Sequence, residues 1–121
     1  ADDTGAVVVS GENLLVVGDQ PAGLMAVMSM VSLSQSGWVA VHEETPEGAF
    51  GNILGARRFP EGKYFGSAIE LLRATEGDGK AYYAVLHEDD GDTVFDFQTE
   101  KPVEDESGSS VSARFVTTFI E

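Results

Sequence analysis

The two histidines of this chain, His42 and His87, are its best candidate ligands for a transition metal. The methionines Met28 and Met30 add soft thioether sulfurs, and two imidazoles with a thioether form part of several copper sites. The chain has no cysteine, which excludes a blue-copper thiolate, zinc–thiolate sites and disulfides. Alternatively, each histidine bonds to a carboxylate or backbone group and the methionines fill the core. We therefore predict no metal and no cofactor, and we keep a copper site of these four residues as the alternative hypothesis.

The acidic turn Glu88–Asp92, with Asp96 close behind it, offers oxygen ligands for calcium. Its spacing differs from that of an EF-hand loop, because Gly91 and Val94 stand where ligands are required. A solvated acidic turn is therefore our prediction for this segment.

The sequence contains no recognisable catalytic motif. A Gly-x-Ser-x-Gly nucleophile elbow is absent, and Gly77–Lys80 is too short to form a phosphate-binding loop. Pairs of carboxylates are abundant only because acids are abundant, so they give a glycosidase no specific support. We predict that the protein is not an enzyme and that it has no catalytic residues.

The charge of the chain restricts its partners. It carries 21 acidic and 7 basic residues, for a net charge of −14. Binding to nucleic acid or to an anionic membrane is disfavoured, because both need Lys and Arg. The acidic surface suits a saline habitat, where salt screens its self-repulsion, or else simply a soluble, monodisperse protein.

Export is the expected location of the protein. No apolar run reaches the roughly 18–20 residues that span a bilayer, so we predict no membrane span. The start at Ala1-Asp2-Asp3 suits the N-terminus that remains after a signal peptide is removed. We therefore expect an extracellular or cell-surface protein.

Two stretches with the period of a β-strand must position the histidines. In Gly37–Glu43, Trp38 and His42 share one face, and Val39 and Val41 share the other. Ala81–His87 is a similar apolar stretch that ends in the second histidine. We predict that both are central strands of one β-sandwich, with Trp38 at its packing centre.

The rest of the 121-residue chain supports a single all-β domain. Short strands with turns every 8 to 12 residues or so predict an antiparallel sandwich of seven to eight strands, with an additional N-terminal strand. The further predicted strands are Ala6–Val9, Leu14–Val17, Leu24–Leu33, Asn52–Arg58, Ser67–Thr75, Thr93–Phe97 and Val111–Ile120. Ser67–Glu70 also has the spacing of a helix capping box, but the short stretch that it opens suits a strand, which we predict.

Five segments carry a resemblance to a known family: Gly37–His42, Leu86–Gly91, Phe95–Phe97, Pro102–Val103 and Phe115–Ile120. From about residue 14 to residue 120 the chain resembles a domain of unknown function with an immunoglobulin-like sandwich, found in secreted and surface-anchored proteins of haloarchaea and some bacteria. The resemblance implies an extracellular, non-enzymatic module without catalytic residues. We therefore divide the chain into an N-terminal arm, residues 1–13, which is additional to the module, and an immunoglobulin-like sandwich, residues 14–121.

The arm is the leading functional candidate. Ala6, Val7, Val8 and Val9 form a short apolar strand between glycines, and such a strand can add to the sheet edge of another subunit as a donor strand. Head-to-tail exchange does not close on itself, so it builds filaments. Alternatively, Ala6–Ser10 is the first strand of its own sandwich.

We expect a structural subunit of a pilus-like surface filament or layer, whose partners are copies of itself. Two other functions remain open. One is a secreted or periplasmic copper-binding domain. The other is an adhesin-type module whose loops bind surface glycans or other surface proteins.

Overall fold

The computed structural model describes residues 6–10, 13–89, 91, 95, 101–103 and 111–118. Within them the chain forms nine strands and no helix, which confirms the predicted all-β fold. The strands are β1 (Ala6–Ser10), β2 (Asn13–Val17), β3 (Gln20–Pro21), β4 (Met25–Leu33), β5 (Gly37–Glu44), β6 (Phe50–Phe59), β7 (Gly62–Glu70), β8 (Asp78–Glu88) and β9 (Ser112–Thr118). This part of the chain thus offers no helix that could cross a membrane.

The strands form two sheets that pack as a β-sandwich. The four-stranded sheet has the order β1-β2-β4-β7 and is antiparallel throughout. The five-stranded sheet has the order β3-β9-β8-β5-β6 and is antiparallel except for the parallel pair of β3 and β9. β5 and β8 are therefore inner strands of the five-stranded sheet, as predicted for Gly37–Glu43 and Ala81–His87, and they are direct neighbours there.

The core lies between the two sheets and follows the period-two alternation of the strands. Its buried apolar side chains come from both sheets. They include Leu15, Val17, Ala26, Met28, Val31, Leu33 and Ile69 of the four-stranded sheet and Val39, Val41, Leu54, Phe59, Tyr82, Ala84, Leu86, Ala113 and Phe115 of the five-stranded sheet.

Trp38 lies outside this core, so its predicted position was wrong. Val39 and Val41 face the four-stranded sheet, and Trp38 points to the opposite, outer face of the five-stranded sheet, where its ring centre is 5.4 Å from that of Phe95. Both faces of β5 are apolar, so alternation identified the residues that share a face but not which face meets the other sheet. The outer face of β5 and β8 is nonetheless buried, with Ala40 and Val85 at 0 % exposure.

β1 is the edge strand of the four-stranded sheet. It pairs with β2 of its own chain, from Ala6 opposite Val17 to Ser10 opposite Asn13. Within one chain, Ala6–Ser10 is therefore the first strand of its own sandwich. Pairing of this strand with a neighbouring subunit stays a prediction.

The strand predicted over Ser67–Thr75 lies about five residues too late in the chain, because β7 runs from Gly62 to Glu70. Only Pro60 and Glu61 separate β6 from β7, and Gly62 adopts a positive φ of 138° that glycine tolerates. After Glu70 the chain leaves the sheet, where Leu72 N–H donates to the carbonyl of Leu54. The predicted strand Thr93–Phe97 lies outside the described residues except for Phe95.

The two sides of the sandwich differ in how their edges are covered. Where β6 meets β7, a Cβ on Gly55 would lie 2.2 Å from the carbonyl oxygen of Glu70, so the two backbones are in close contact. On this side Arg57 also donates to the carbonyl of Ala68 at 3.0 Å. On the opposite side the chain crosses from β2 to β3 through Gly18 and Asp19, and the edge of β4 is only partly covered there.

Candidate functional site

His42 and His87 meet on the outer face of the five-stranded sheet. His87 is opposite Trp38 and His42 is opposite Tyr83, so the two histidines are not direct cross-strand neighbours. Their Nε2 atoms are nevertheless 3.2 Å apart, because the side chains extend toward each other along the strands. Both are buried, with 6 % of His42 and 2 % of His87 exposed.

The hydrogen bonds around the pair assign its tautomers. Nδ1 of His42 lies 3.2 Å from the carbonyl oxygen of Gly51, which can only accept, so Nδ1 carries the proton. Nε2 of a neutral His42 is then an acceptor, and His87 must donate from its own Nε2. The planes of the two rings lie within 3° of parallel, and the ring centres are 5.4 Å apart. Because the two Nε2 atoms are only 3.2 Å apart, the rings meet edge to edge through these nitrogens. The result is a continuous chain of hydrogen bonds from His87 to the backbone.

His42 is held neutral. Burial lowers the pKa of His42 from 6.5 to about 4; the bond to Gly51 opposes this shift, and the charge that His87 would carry adds to it. A neutral imidazole is the form that binds a metal ion, and it is also the form that a purely structural hydrogen bond requires.

Aromatic side chains surround the pair in an open groove of about 680 Å³. The ring of Phe50 lies 5.3 Å from that of His42, and Phe95 stands at 88° to His87 with ring centres 5.1 Å apart. The groove is lined by His42, Phe50, Gly51, Asn52, Ile53, His87, Phe95 and Pro102. Its walls are therefore mainly apolar, with the two imidazoles as its ionisable groups.

The predicted methionine ligands lie elsewhere. Met28 is fully buried in the core between the sheets, so the backbone of the five-stranded sheet separates it from His42 and His87. Met30 lies on β4 of the other sheet, opposite Val16 and Phe65. In the described part of the chain no group of three or more His, Asp or Glu residues is placed to hold a metal ion. Of the four proposed copper ligands, the structure brings together only the two histidines.

The described part of the acidic turn is structural. The side chain of Asp89 is 1 % exposed and bonds to Nε of Arg58 at 2.7 Å. The N–H of Gly91 also donates to Asp89, at 3.0 Å. Burial by itself would raise the pKa of Asp89, but the bonds from Gly91, Ser36 and Arg58 outweigh it and lower the pKa. This carboxylate is therefore committed to protein donors; Asp90, Asp92 and Asp96 lie outside the described residues.

The four-stranded sheet exposes large apolar side chains that sequence analysis did not single out. They are Leu24, Met25, Val27, Phe65 and Leu72, with exposures between 42 % and 88 %. All five lie on β4 or β7 or within two residues of their ends. The signal in the sequence was the run Leu24–Leu33, which is apolar on both faces. Large exposed apolar side chains are typical of contact surfaces where they form a continuous patch.

Gln20 and Asp19 cover strand edges with their side chains. The main chain of Gln20 pairs with Thr117 of β9, while its side-chain amide donates to the carbonyl of Val27 at 3.1 Å and accepts from its N–H at 2.9 Å. Asp19 accepts from the N–H of Val116 at 2.9 Å. Gly18–Pro21 has the composition of a turn, and nothing in that composition indicates these distant contacts.

Residues 13–118 match the family described as a domain of unknown function, DUF7282. The chain belongs to this family. None of the curated proteins and none of the solved structures matches it. The DUF7282 match begins at Asn13, the first residue of β2, and ends at Thr118, the last residue of β9. β1 therefore precedes the DUF7282 domain, and the histidine groove lies within it.

Proposed function

We propose that this protein is a non-enzymatic structural subunit of the cell surface that assembles head to tail with copies of itself. The observation that carries the proposal is the position of β1. It precedes the family's domain, and it is an edge strand that pairs with β2 alone. An edge strand can pair with another chain without opening the core of its own domain.

The chain connection favours exchange between copies. Only residues 11 and 12 separate β1 from β2, so a change of backbone direction there is sufficient to point β1 away from its own subunit. A strand that leaves one copy and pairs with the next makes a heterologous contact, which repeats in an open chain. The exposed apolar side chains of the four-stranded sheet supply further contact surface.

The setting that we propose is the outside of a cell in saline surroundings, with the sandwich of the immunoglobulin-like type. A net charge of −14 makes copies repel each other in dilute buffer. At molar salt the screening length falls to about 3 Å, and apolar edges can then meet. Assembly is therefore expected to require salt.

The test compares three proteins: the full chain, a variant that lacks residues 1–12, and the full-length variant Val8→Asp, which keeps the chain length. Light scattering and negative-stain microscopy at low and molar salt measure assembly, and circular dichroism checks folding. We expect fibres or large assemblies only from the unmodified chain in salt. Assemblies whose size is the same in all three folded proteins would contradict strand exchange.

A second function is favoured by the distance between the two Nε2 atoms. Two imidazole nitrogens at about 2.0–2.1 Å from one tetrahedral Zn²⁺ lie about 3.3 Å apart, close to the 3.2 Å between His42 and His87. A zinc or copper ion would replace the shared proton, and water in the groove would supply the other ligands. Binding requires both rings to tilt, because their Nε2 atoms now face each other.

Calorimetric titration of the full chain with Zn²⁺ and with Cu²⁺ tests this second function. The variants His42→Ala and His87→Ala should abolish binding, whereas Met30→Leu should leave it unchanged. Binding no tighter than millimolar to the unmodified chain would remove the hypothesis. The pair would then be a buried structural hydrogen bond.

A further inference from the structure

On one side, about half of the inner strand β4 has no neighbouring strand among the described residues. β4 pairs with β7 along its length, from Met25 to Leu33. On its other side β2 pairs only with Met30–Ser32. Within the described residues, no strand lies beside Met25–Ser29 on that side. The four-stranded sheet therefore has an internal gap as well as its outer edges.

The Gln20 side chain occupies this gap as a substitute for a strand. Its amide makes the same pair of hydrogen bonds with Val27 that a residue of a neighbouring strand would make, one to the N–H and one to the carbonyl. One side chain satisfies one residue of the edge. The flanking backbone is left beside an open groove of about 640 Å³, lined mainly by Gly18–Met25 with Val27 and Ser29.

We propose that this groove beside Met25–Ser29 is the acceptor site of the strand exchange. The occupant is Ala6–Ser10 of a second copy, and Gln20 is the placeholder that it displaces. This inference rests on the proposed function, because it identifies the edge that receives the arm.

Length and charge select this occupant. The open edge, Met25–Ser29, and the arm strand, Ala6–Ser10, both have five residues, and neither contains a charged residue. Copies with a net charge of −14 repel each other, so segments without charge can approach most easily. The partly exposed side chains of Leu24, Met25 and Val27 border the groove and offer apolar contacts.

The opposite side of the sandwich is a poor acceptor. The carbonyl of Ala68 on β7 is bonded by Arg57, and Gly55 brings the backbone of β6 against that of Glu70. The N–H of Leu72 is bonded to Leu54 across the same seam. A strand from another copy would have to separate β6 from β7 to pair there. Strand addition is therefore directed to the side of β2 and β3.

The energetic balance of the exchange is close. The arm gives up its ladder with β2 and gains one of similar length with β4, while Gln20 loses its two bonds to Val27. The exchange also frees the outer edge of β2. The net gain must therefore come from the apolar side chains that the arm covers on β4. Protein concentration and salt then decide how far the exchange proceeds.

Cross-linking between two full-length variants tests the acceptor site. The chain has no cysteine, so a disulfide between Val8→Cys in one protein and Val27→Cys in another reports only contact between copies. The matched pair is Val7→Cys with Val16→Cys, since Val7 and Val16 are opposite each other within one chain. A disulfide in this second pair would show that the arm of one copy pairs with β2 of another copy.

Each outcome of the mixing experiment decides a question. A disulfide-linked heterodimer of Val8→Cys with Val27→Cys in molar salt supports the acceptor site. A heterodimer of Val7→Cys with Val16→Cys instead overturns the acceptor site and leaves strand exchange intact. If neither heterodimer forms and the unmodified chain does not assemble, both the acceptor site and the proposed function are overturned.

The placeholder role of Gln20 has its own readout. Gln20→Met keeps a side chain of similar length but removes both bonds to Val27. It should raise the yield of the Val8–Val27 cross-link by up to about tenfold, because the arm no longer competes with the amide. An unchanged yield in the folded variant would overturn the role of Gln20.

Discussion

The side chain of Gln20 bonds to both main-chain groups of Val27, while the main chain of Gln20 belongs to the other sheet. One residue thereby takes part in both layers of the sandwich at the point where the chain crosses between them. Its amide group is chemically a peptide group, so it can stand in for a strand residue. The two sheets are joined at this corner by hydrogen bonds as well as by apolar packing.

Substitutions of Gln20 should change the hydrogen exchange of a single edge amide. In Gln20→Met the N–H of Val27 loses its acceptor, so we expect fast exchange at Val27. In Gln20→Glu one carboxylate oxygen can still accept from this N–H, but the other replaces the NH₂ group and faces the carbonyls of Gly18 and Val27. We therefore expect Val27 to keep part of its protection. Exchange at Val39, in the core, is the control and should not change in either variant. Equal protection of Val27 in both variants would show that the side chain does not cover this edge.

Because of His42, the free energy of unfolding should decrease as the pH is lowered below neutrality. Its pKa is lowered from 6.5 in the unfolded chain to about 4 in the folded protein. Between these values the unfolded chain binds a proton that the folded protein does not, so the free energy of unfolding decreases by up to about 1.4 kcal/mol per pH unit on acidification. This contribution is fully present above pH 6.5 and is lost as the pH falls toward 4.

Urea unfolding of the unmodified chain and of His42→Gln between pH 7 and 5 or so measures this effect. Carboxylates common to both proteins cancel in the comparison, so the difference in slope belongs to residue 42 and its contact with His87. The variant should lose the extra dependence on pH. Identical slopes would mean that His42 titrates normally in the folded protein.

The negative charge of Asp89, and not only its volume, should contribute to the stability of the fold. Asp89→Asn keeps the volume but places an NH₂ group where Arg58 and Gly91 donate. We expect the free energy of unfolding to drop by about 1–3 kcal/mol at neutral pH, because the side chain of residue 89 is buried and its NH₂ group would face either Arg58 or Gly91, donor against donor. Glu47→Gln, on an exposed turn, is the matched change and should have little effect. Because the pKa of Asp89 is lowered on folding, the difference between Asp89→Asn and the unmodified chain should shrink as acid protonates the carboxyl group.

Gly55 should tolerate no side chain. In Gly55→Ala the added carbon would lie 2.2 Å from the carbonyl oxygen of Glu70, so β6 and β7 would have to separate. We expect a loss of about 1–3 kcal/mol in the free energy of unfolding, or more if the seam opens. The control is Gly18→Ala, where no atom lies within 4 Å of the added carbon. Equal stability of the two variants in urea would contradict the close contact at the seam.

The sequence was sufficient to predict the fold class and the inner positions of β5 and β8 in the five-stranded sheet. Alternation identified the strand Gly37–Glu43. The similar apolar stretch Ala81–His87 identified the second strand. The side-chain period fixes which residues share a face, but it does not fix the register between strands. The contact of His42 with His87 depends on that register, since His87 is opposite Trp38.

Two features could not be predicted because they depend on distant parts of the chain. The bonds of Gln20 to Val27 form because β2 pairs only with Met30–Ser32 and leaves the sheet before it reaches the first residues of β4. The start of β7 depends on Gly62, where the chain turns sharply as it passes from β6 of the five-stranded sheet to β7 of the four-stranded sheet. Local propensity left Ser67–Glu70 open to both helix and strand, and pairing with β4 decided it.

The parallel pairing of β3 with β9 determines how the domain would respond to tension. A pull toward the N-terminus at Gly18 and toward the C-terminus at Thr118 slides these two strands past each other. The bond from Val116 to Asp19 and the bond from Ala22 to Thr118 lie across that direction, so they share the load instead of breaking one after another. Shear of this kind resists mechanical force better than peeling does. If the domain forms the proposed fibre, a pulling force would therefore be carried at the corner where β3 and β9 pair.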